Sequence, residues 1–300
     1  MMVWFVAAMM ILVAGIAMQA RVDIRQTQLH ADRARAEAIA DGAISLALAE
    51  MLFVDKEGEI DTSRGFEGVY ALGDIEVRVA MLPLTGLVDI NLVHEDLLAM
   101  LLMTVDGVDE NMAAELAANV VEWRSTQGQE NNGGPGEEYT EESGGDDAFR
   151  YGRFEAIEDL LLVPGFDRRI FDAIRDAVYV SQLGQAGVDW MTAPVQVLRA
   201  IGDMDEEQAL ELLDKVDRSE EGDQVAPAEL DLGFQESRKL PLYRVDAHVA
   251  SGGELYQRRR WVKRGAKGVD GLPWQFFRTE AIRPRGRAAQ SDGETVDAGF

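Results

Sequence analysis

The sequence predicts an α+β fold: a long N-terminal helix plus an antiparallel sheet, with a large all-α domain of helix–hairpin–helix units inserted between the strands. Three observations lead there. An apolar N-terminal run continues without Pro into an Ala-rich stretch. Strand-period alternation is present at Ile75–Met81 and returns only after Leu240. Between those two regions a helix–turn–helix pattern recurs.

The helix comes first. Met1–Met18, MMVWFVAAMMILVAGIAM, carries no charge and no side-chain amide. At ~1.5 Å per residue it makes a helix of about 27 Å, close to the ~30 Å hydrocarbon thickness of a bilayer. Val3, Trp4, Phe5, Ile11, Leu12 and Ile16 are its candidate membrane and assembly positions. Four arrangements suit such a run: a cleaved signal peptide, a single-span anchor, a buried core helix or a pilin-type helix. A secretory signal has a basic start, a short apolar core and a small-residue cleavage site. Here Met1 and Met2 give no basic start, and Gln19–Leu52 follows with no Pro and a single Gly, Gly42. That stretch reads as unbroken helix, rich in Ala, Leu, Arg and Glu. Leu29, Ala36, Ala40, Ala43, Ala47 and Met51 fall on one face of it, a narrow seam suited to close packing. A signal peptide has no such continuation, so the anchored and pilin-type readings lead, and the N-terminal helix is expected over residues 1–54.

Composition narrows the rest. Three hundred residues hold one large or two modest domains. A net charge of −25 opposes a nucleic-acid partner, which requires a positive footprint. Cys is absent, so there is no disulfide framework. Stability outside the cytoplasm then rests on the core, on partners or on metal. His30, His94 and His248 are far apart and lack metal-ligand spacing, as unrelated surface or core histidines do.

Phe53–Gly68 is polar and turn-rich, a loop. In Val69–Leu82, Ile75, Val77, Val79 and Met81 alternate with Glu76, Arg78 and Ala80 after a Gly73-Asp74 turn, giving the first strand or strands within 64–86. The helical middle, 87–216, contains three similar segments: Val88–Arg124, Phe154–Val180 and Val188–Val216. Each has a helix, a turn (VDGVD, VPGFD, IGDMD) and a second helix that an acidic residue can cap: Asp109, Asp167, and Asp203 or Asp205. One such unit has little core, so the units are expected to pack together. In nucleic-acid-binding hairpins the turn amides hold phosphates. These turns carry Asp106, Asp109, Glu110, Asp167, Asp203, Asp205, Glu206 and Glu207, against only Arg168 and Arg169. Packing or protein contact is the favoured role.

Ser125–Gly152 lies between the first two units and holds seven carboxylates: Glu130, Glu137, Glu138, Glu141, Glu142, Asp146 and Asp147. It reads as a solvated loop. The alternative is a calcium site, since Ca²⁺ takes about six to eight oxygens from such groups, although no EF-hand spacing is present. Asp217–Lys239 is a polar linker with a helical turn expected at Pro227–Leu230. Strands return over 240–282. Tyr243, Val245, Ala247 and Val249 alternate in Leu240–Ser251; Gly252-Gly253 turns into Glu254–Gly265; Pro273–Ile282 is a third strand. The 283–300 segment lacks periodicity and is expected to be a disordered tail.

Taken together, the chain resembles the minor pseudopilin called protein K of the type II secretion system. GLVDINLVHEDLL (Gly86–Leu98) is similar to that family's segment of Gly, an aliphatic residue, Asp or Asn, a second aliphatic residue and Asn. VVEWR (Val120–Arg124), RFEAIEDLLLVPGF (Arg153–Phe166), VDWMTAPVQVLRAI (Val188–Ile201) and LYRVDAHV (Leu242–Val249) resemble further family segments in the same order. The likeness runs from residue 1 to about 282. It implies a pilin-like fold with SAM-like hairpin units in the insert. It also implies a non-enzymatic part at the tip of a periplasmic pseudopilus, assembled with I- and J-type minor pseudopilins. The protein would be held in the inner membrane by one span, with its bulk in the periplasm. No nucleic acid and no small-molecule substrate are implied. The Ala seam would pack against neighbouring N-terminal helices. The family lacks the Glu that major pseudopilins carry near the helix start, and none occurs before Glu37 here.

The sequence also departs from the pattern. The family is made with a basic leader ending in Gly, whereas this sequence opens inside the apolar run; an in-frame basic leader upstream is the expectation. The family has calcium sites near its acidic loop, but Arg124, Ser125 and Thr126 stand where Asp is expected after the Trp. Pro135–Tyr139 is a partial match that leaves Glu137 and Glu138 as candidate Ca²⁺ ligands, with Asp146 and Asp147 added from composition. Asp189-Trp190-Met191 stands where the family favours Asn. No nucleophile, zinc or phosphate-loop motif is present. The competing readings are a membrane-anchored competence-type DNA-binding hairpin protein and an anchored hydrolase.

Overall fold

In chain order the elements are α1 (Met2–Glu57), β1 (Phe66–Leu72), β2 (Ile75–Pro83), β3 (Val88–Asp89), α2 (Glu95–Met103), α3 (Glu110–Arg124), α4 (Arg168–Ile174), β4 (Val178–Tyr179), α5 (Val195–Gly202), α6 (Glu206–Arg218), β5 (Leu242–Ser251), β6 (Glu254–Arg264), β7 (Trp274–Thr279) and β8 (Arg283–Arg287). The structure, a computed structural model, describes residues 2–57, 65–125, 152–181, 184–218, 230–236, 240–265 and 271–287. The chain divides into two units, Met1–Met81 with Tyr243–Ala298, and Leu82–Leu242 with the last two residues.

The first unit packs the C-terminal half of α1 on a six-stranded sheet ordered β1-β2-β5-β6, with β7 and β8 both along the far edge of β6. Alternation sets the register. Val77, Val79 and Met81 of β2 point inward and Glu76 and Arg78 outward. Tyr243, Val245, Ala247 and Val249 of β5 share the same core. That core is closed by Ala36, Ala40, Ala43, Ile44, Ala47, Leu48 and Met51 of α1, all 0–1% exposed. Alanine on this face lets the helix axis approach the sheet closely. Gly252 (φ +60°) and Gly253 (φ +82°) turn β5 into β6 in the left-handed conformation that a two-residue hairpin needs.

Three expectations about this unit need correction. The Ala36–Ala47 seam does not face outward for neighbouring helices; this chain's own sheet covers it. Leu29 does not continue the seam: it is 54% exposed, lying before the first buried helical position, Ala36. Arg283–Arg287 is strand rather than tail, pairing antiparallel with β6 from Glu254↔Arg287 to Gln257↔Arg283. In addition, the loop predicted before Val69 contributes Phe66–Gly68 to β1, which pairs with β2 across Gly73-Asp74.

The second unit gathers α2–α6 around one core. Leu97, Leu98, Leu101 and Leu102 of α2 meet Leu116, Ala117, Val120 and Trp123 of α3 and Ile170, Phe171 and Ile174 of α4. A two-residue parallel ladder, Val88↔Val178 and Asp89↔Tyr179, ties its start to the return after α4. The caps fall where the acidic residues predict. Asp109 accepts from Met112 N and Asp167 from Ile170 N. For α6 the cap is Asp205, which accepts from Gln208 N while Gln208 Oε1 accepts from Asp205 N. Asp203 instead closes α5 with φ 44°. The leading helix of the second hairpin, Ile157–Leu162, is 3-10 rather than α. Part of the predicted linker belongs to this core: Leu230 is buried and Phe234 packs against it. Pro227 lies outside the described residues.

Candidate functional site: the uncovered half of the N-terminal helix

From Met2 to Ala31 every described side chain of α1 is exposed. Trp4 is 82% exposed and Phe5, Leu12 and Leu29 are more than half exposed. Up to Arg35, the last position before the buried seam, this stretch is about 50 Å long at ~1.5 Å per residue. Each large apolar side chain there forgoes ~1.5–3 kcal/mol by remaining in water. The described part of this chain leaves these apolar side chains of the helix tip uncovered. Among the described residues no helix is long and apolar enough to cross a membrane. The side chains of Val3, Ile11 and Ile16 lie outside the described residues.

The covered half of α1 is locked by charge as well as by apolar contact. Glu37 lies 2.9 Å from Arg258 Nη1 on β6. Asp41 accepts from Arg258 Nε at 2.9 Å and Nη2 at 3.1 Å. Arg258 also donates to the Glu280 carbonyl at 2.8 Å. Elsewhere in the sheet Arg259 donates to both oxygens of buried Asp246, at 2.6 and 3.0 Å, and Arg244 Nε lies 3.0 Å from the same carboxylate. Burial alone would raise the Asp246 acid; Arg244 and Arg259 outweigh it and hold the carboxyl below its ordinary value. The partners of these arginines are not legible in the sequence, where Arg258, Arg259 and Arg260 show only as part of the Glu254–Gly265 strand.

In the second unit the Gly86–Val93 segment is a joint. Gly86 sits so close to the Thr192 carbonyl that a Cβ would come within 2.0 Å of its oxygen. Asn91 clamps Phe154, its Oδ1 accepting from Phe154 N at 2.8 Å and its Nδ2 donating to Phe154 O at 3.0 Å. Arg124 donates to the carbonyls of Ile90 and Val93. The motif residues of this segment thus hold the α domain together.

The predicted calcium ligands Glu137, Glu138, Asp146 and Asp147 lie outside the described residues. Among the described residues no group of three or more His, Asp or Glu could hold a metal ion. His30 and His94 are exposed, His94 lying 6.1 Å from the Phe234 ring. His248 is half-buried, and burial lowers its basicity. The turn arginines are engaged within the chain: Arg168 with Asp172 at 2.8 Å, and Arg169 with the Asp106 carbonyl of the first hairpin.

No protein-family profile and no curated protein sequence match the chain. Among solved structures it is similar to a chain of the GspK-GspI-GspJ complex from the enterotoxigenic Escherichia coli type 2 secretion system, at 15% identity and TM-score 0.48, covering 88% of this chain and 98% of that one.

Proposed function

We propose that this chain is a K-type minor pseudopilin of a type II secretion system, a non-enzymatic component that initiates or caps the pseudopilus together with I- and J-type pseudopilins. One observation carries the reading: a single helix is divided into a covered half, locked to a split sheet, and an uncovered half that is apolar at its tip. Such a helix suits a protein that stands in a membrane and then joins a bundle of like helices. Met1–Met18 is the inner-membrane span in this account, and the body lies in the periplasm. The ordered motifs from Gly86 to Val249 support the choice of family. Calcium at Glu137, Glu138, Asp146 and Asp147 is part of the proposal and rests on the loop's composition.

The test is co-purification of the detergent-solubilised full chain with I- and J-type pseudopilins, with and without a calcium chelator. A ternary complex is expected, weakened by chelation. Failure to form one under either condition contradicts the assignment.

A further inference from the structure

β1 is an edge of its sheet, with β2 on one side and no strand on the other among the described residues. It pairs with β2 over its whole length without a bulge, from Phe66↔Met81 to Leu72↔Ile75. The turn between them is the residue pair Gly73-Asp74, so Leu72 and Ile75 exchange backbone bonds, and so does every second pair: Tyr70 with Val77, Gly68 with Val79, Phe66 with Met81. The N–H and C=O groups of Glu67, Val69 and Ala71 therefore point away from β2, and none of them bonds to another described residue. Val69, at the middle of the strand, is 64% exposed.

The opposite edge is guarded. β7 and β8 meet β6 with bulges at Trp261/Val262 and Leu255/Tyr256, and β8 carries Pro284, Arg283, Arg285 and Arg287. Bulges, proline and cations keep a strand edge from pairing further. β1 has none of them. Beside β1 lies an apolar flank of α1. Tyr70 donates to Glu50 at 2.6 Å, which fixes the side of the helix that overlooks the strand. Leu46 and Phe53, one helical turn before and after Glu50, share that side and are 49% and 66% exposed. Phe66, Tyr70 and Leu72 face the same way and are only partly buried.

A row of outward backbone groups is completed by another strand, and the side chains around it select which one. Glu50, Glu67, Asp74 and Glu76 are exposed at this rim, against Arg35 and Arg78, so a strand bearing Lys or Arg is favoured over an acidic one. A second copy does not fit. The contacts Arg35–Asp74, Gly42–Leu72 and Glu50–Tyr70 run in opposite order along the two elements, so β1 runs against α1. Two-fold pairing of β1 with itself is antiparallel and turns the second α1 end for end. Chains anchored in one membrane by that helix cannot be so related.

We propose that the outer edge of β1, with Leu46 and Phe53 beside it, is a strand-addition site for an apolar, basic strand of a different protein. The added strand bonds to the backbone of Glu67, Val69 and Ala71, and its inward side chains cover Leu46 and Phe53. Only the exclusion of a second copy rests on the membrane-anchored reading above.

Hydrogen exchange of the full chain in detergent micelles tests the edge. In the free protein the amides of Glu67, Val69 and Ala71 should exchange within about tenfold of their intrinsic rates, and those of Gly68 and Tyr70 far more slowly. A saturating peptide of alternating valine and lysine, as long as β1, should slow the three outward amides at least about tenfold, whereas its fully N-methylated twin should not. Val69→Pro removes one outward N–H and no bond to β2; it should abolish the peptide effect and leave Gly68 and Tyr70 protected. Outward amides already protected without peptide, no added protection with it, or equal protection by both peptides overturns the proposal. Protection that grows with protein concentration alone gives the edge to a second copy and overturns it too. No pseudopilin takes part, so a negative result leaves the assembly proposal standing.

Discussion

Arg258 and Asp41, 217 positions apart, meet in a two-pronged ion pair, Nε to Oδ1 at 2.9 Å and Nη2 to Oδ2 at 3.1 Å. The pair fixes α1 to β6 at the level where the helix becomes covered. Arg260 adds a second cation 3.6 Å from Asp41 and stacks over Phe276 at 3.4 Å. Arg258→Ala removes the donors to Asp41, Glu37 and the Glu280 carbonyl together. Full burial would make that ~3–5 kcal/mol, and the partly exposed Asp41 and Glu37 reduce it to ~2–3 kcal/mol. Urea unfolding followed on the sheet signal measures the loss. Arg258→Lys should recover only part of it, because an ammonium cannot make the fork.

Asp246 is the more buried centre. Asp246→Asn leaves Arg244 and Arg259 facing a neutral amide inside the sheet, and a loss of ~3–5 kcal/mol is expected. Its carboxyl is held below the ordinary value, so its stabilising contribution is present above about pH 4 and lost as pH falls through the folded value. Acid unfolding of the first unit should therefore lose part of its pH dependence in the Asn variant, as circular dichroism between pH 2 and 5 would show.

Asn91 holds a different joint. Asn91→Ala removes both bonds to the Phe154 backbone and leaves its N–H and C=O short of partners, at a cost of ~2–3 kcal/mol. Gly86→Ala drives a methyl into the Thr192 carbonyl and should cost at least as much. Thermal melting of either variant should show the α domain weakened. Unchanged melting would mean that the segment is not a joint.

The two halves of α1 should respond differently to substitution. Ala40→Leu overfills the seam against the sheet and should destabilise by ~1–3 kcal/mol. Leu29→Ala removes an exposed side chain and should leave unfolding within ~0.5 kcal/mol of the original while weakening the proposed assembly with I- and J-type pseudopilins. Chemical denaturation and co-purification separate the two effects.

Local patterns were legible in the sequence and long-range pairings were not. The alternation of Val77, Val79 and Met81 and of Tyr243, Val245, Ala247 and Val249 announces a sheet split around a helical insert, and β2 does neighbour β5. The hairpin caps were readable because capping is local. The start of β1, Phe66–Gly68, reads as loop because Glu67 and Gly68 break its apolar pattern. β8 was missed because Pro284 and Gly286 suit only an edge strand, and its place depends on the length of β6. The seam was visible as a stripe of alanines, but a stripe does not reveal whether a sheet or a second helix covers it. Arg258 and Asn91 act through partners 217 and 63 positions away, and Asp246 through an arginine on the neighbouring strand, none of which periodicity encodes.

On the proposed function, the uncovered half of α1 is a contact surface for the helices of I- and J-type pseudopilins. A photo-reactive residue at Leu29 of the full chain, expressed with the other pseudopilins, reads this directly. The account predicts adducts with I- or J-type pseudopilin in the inner-membrane fraction. A folded, membrane-associated chain that gives no pseudopilin adduct from this position would contradict it.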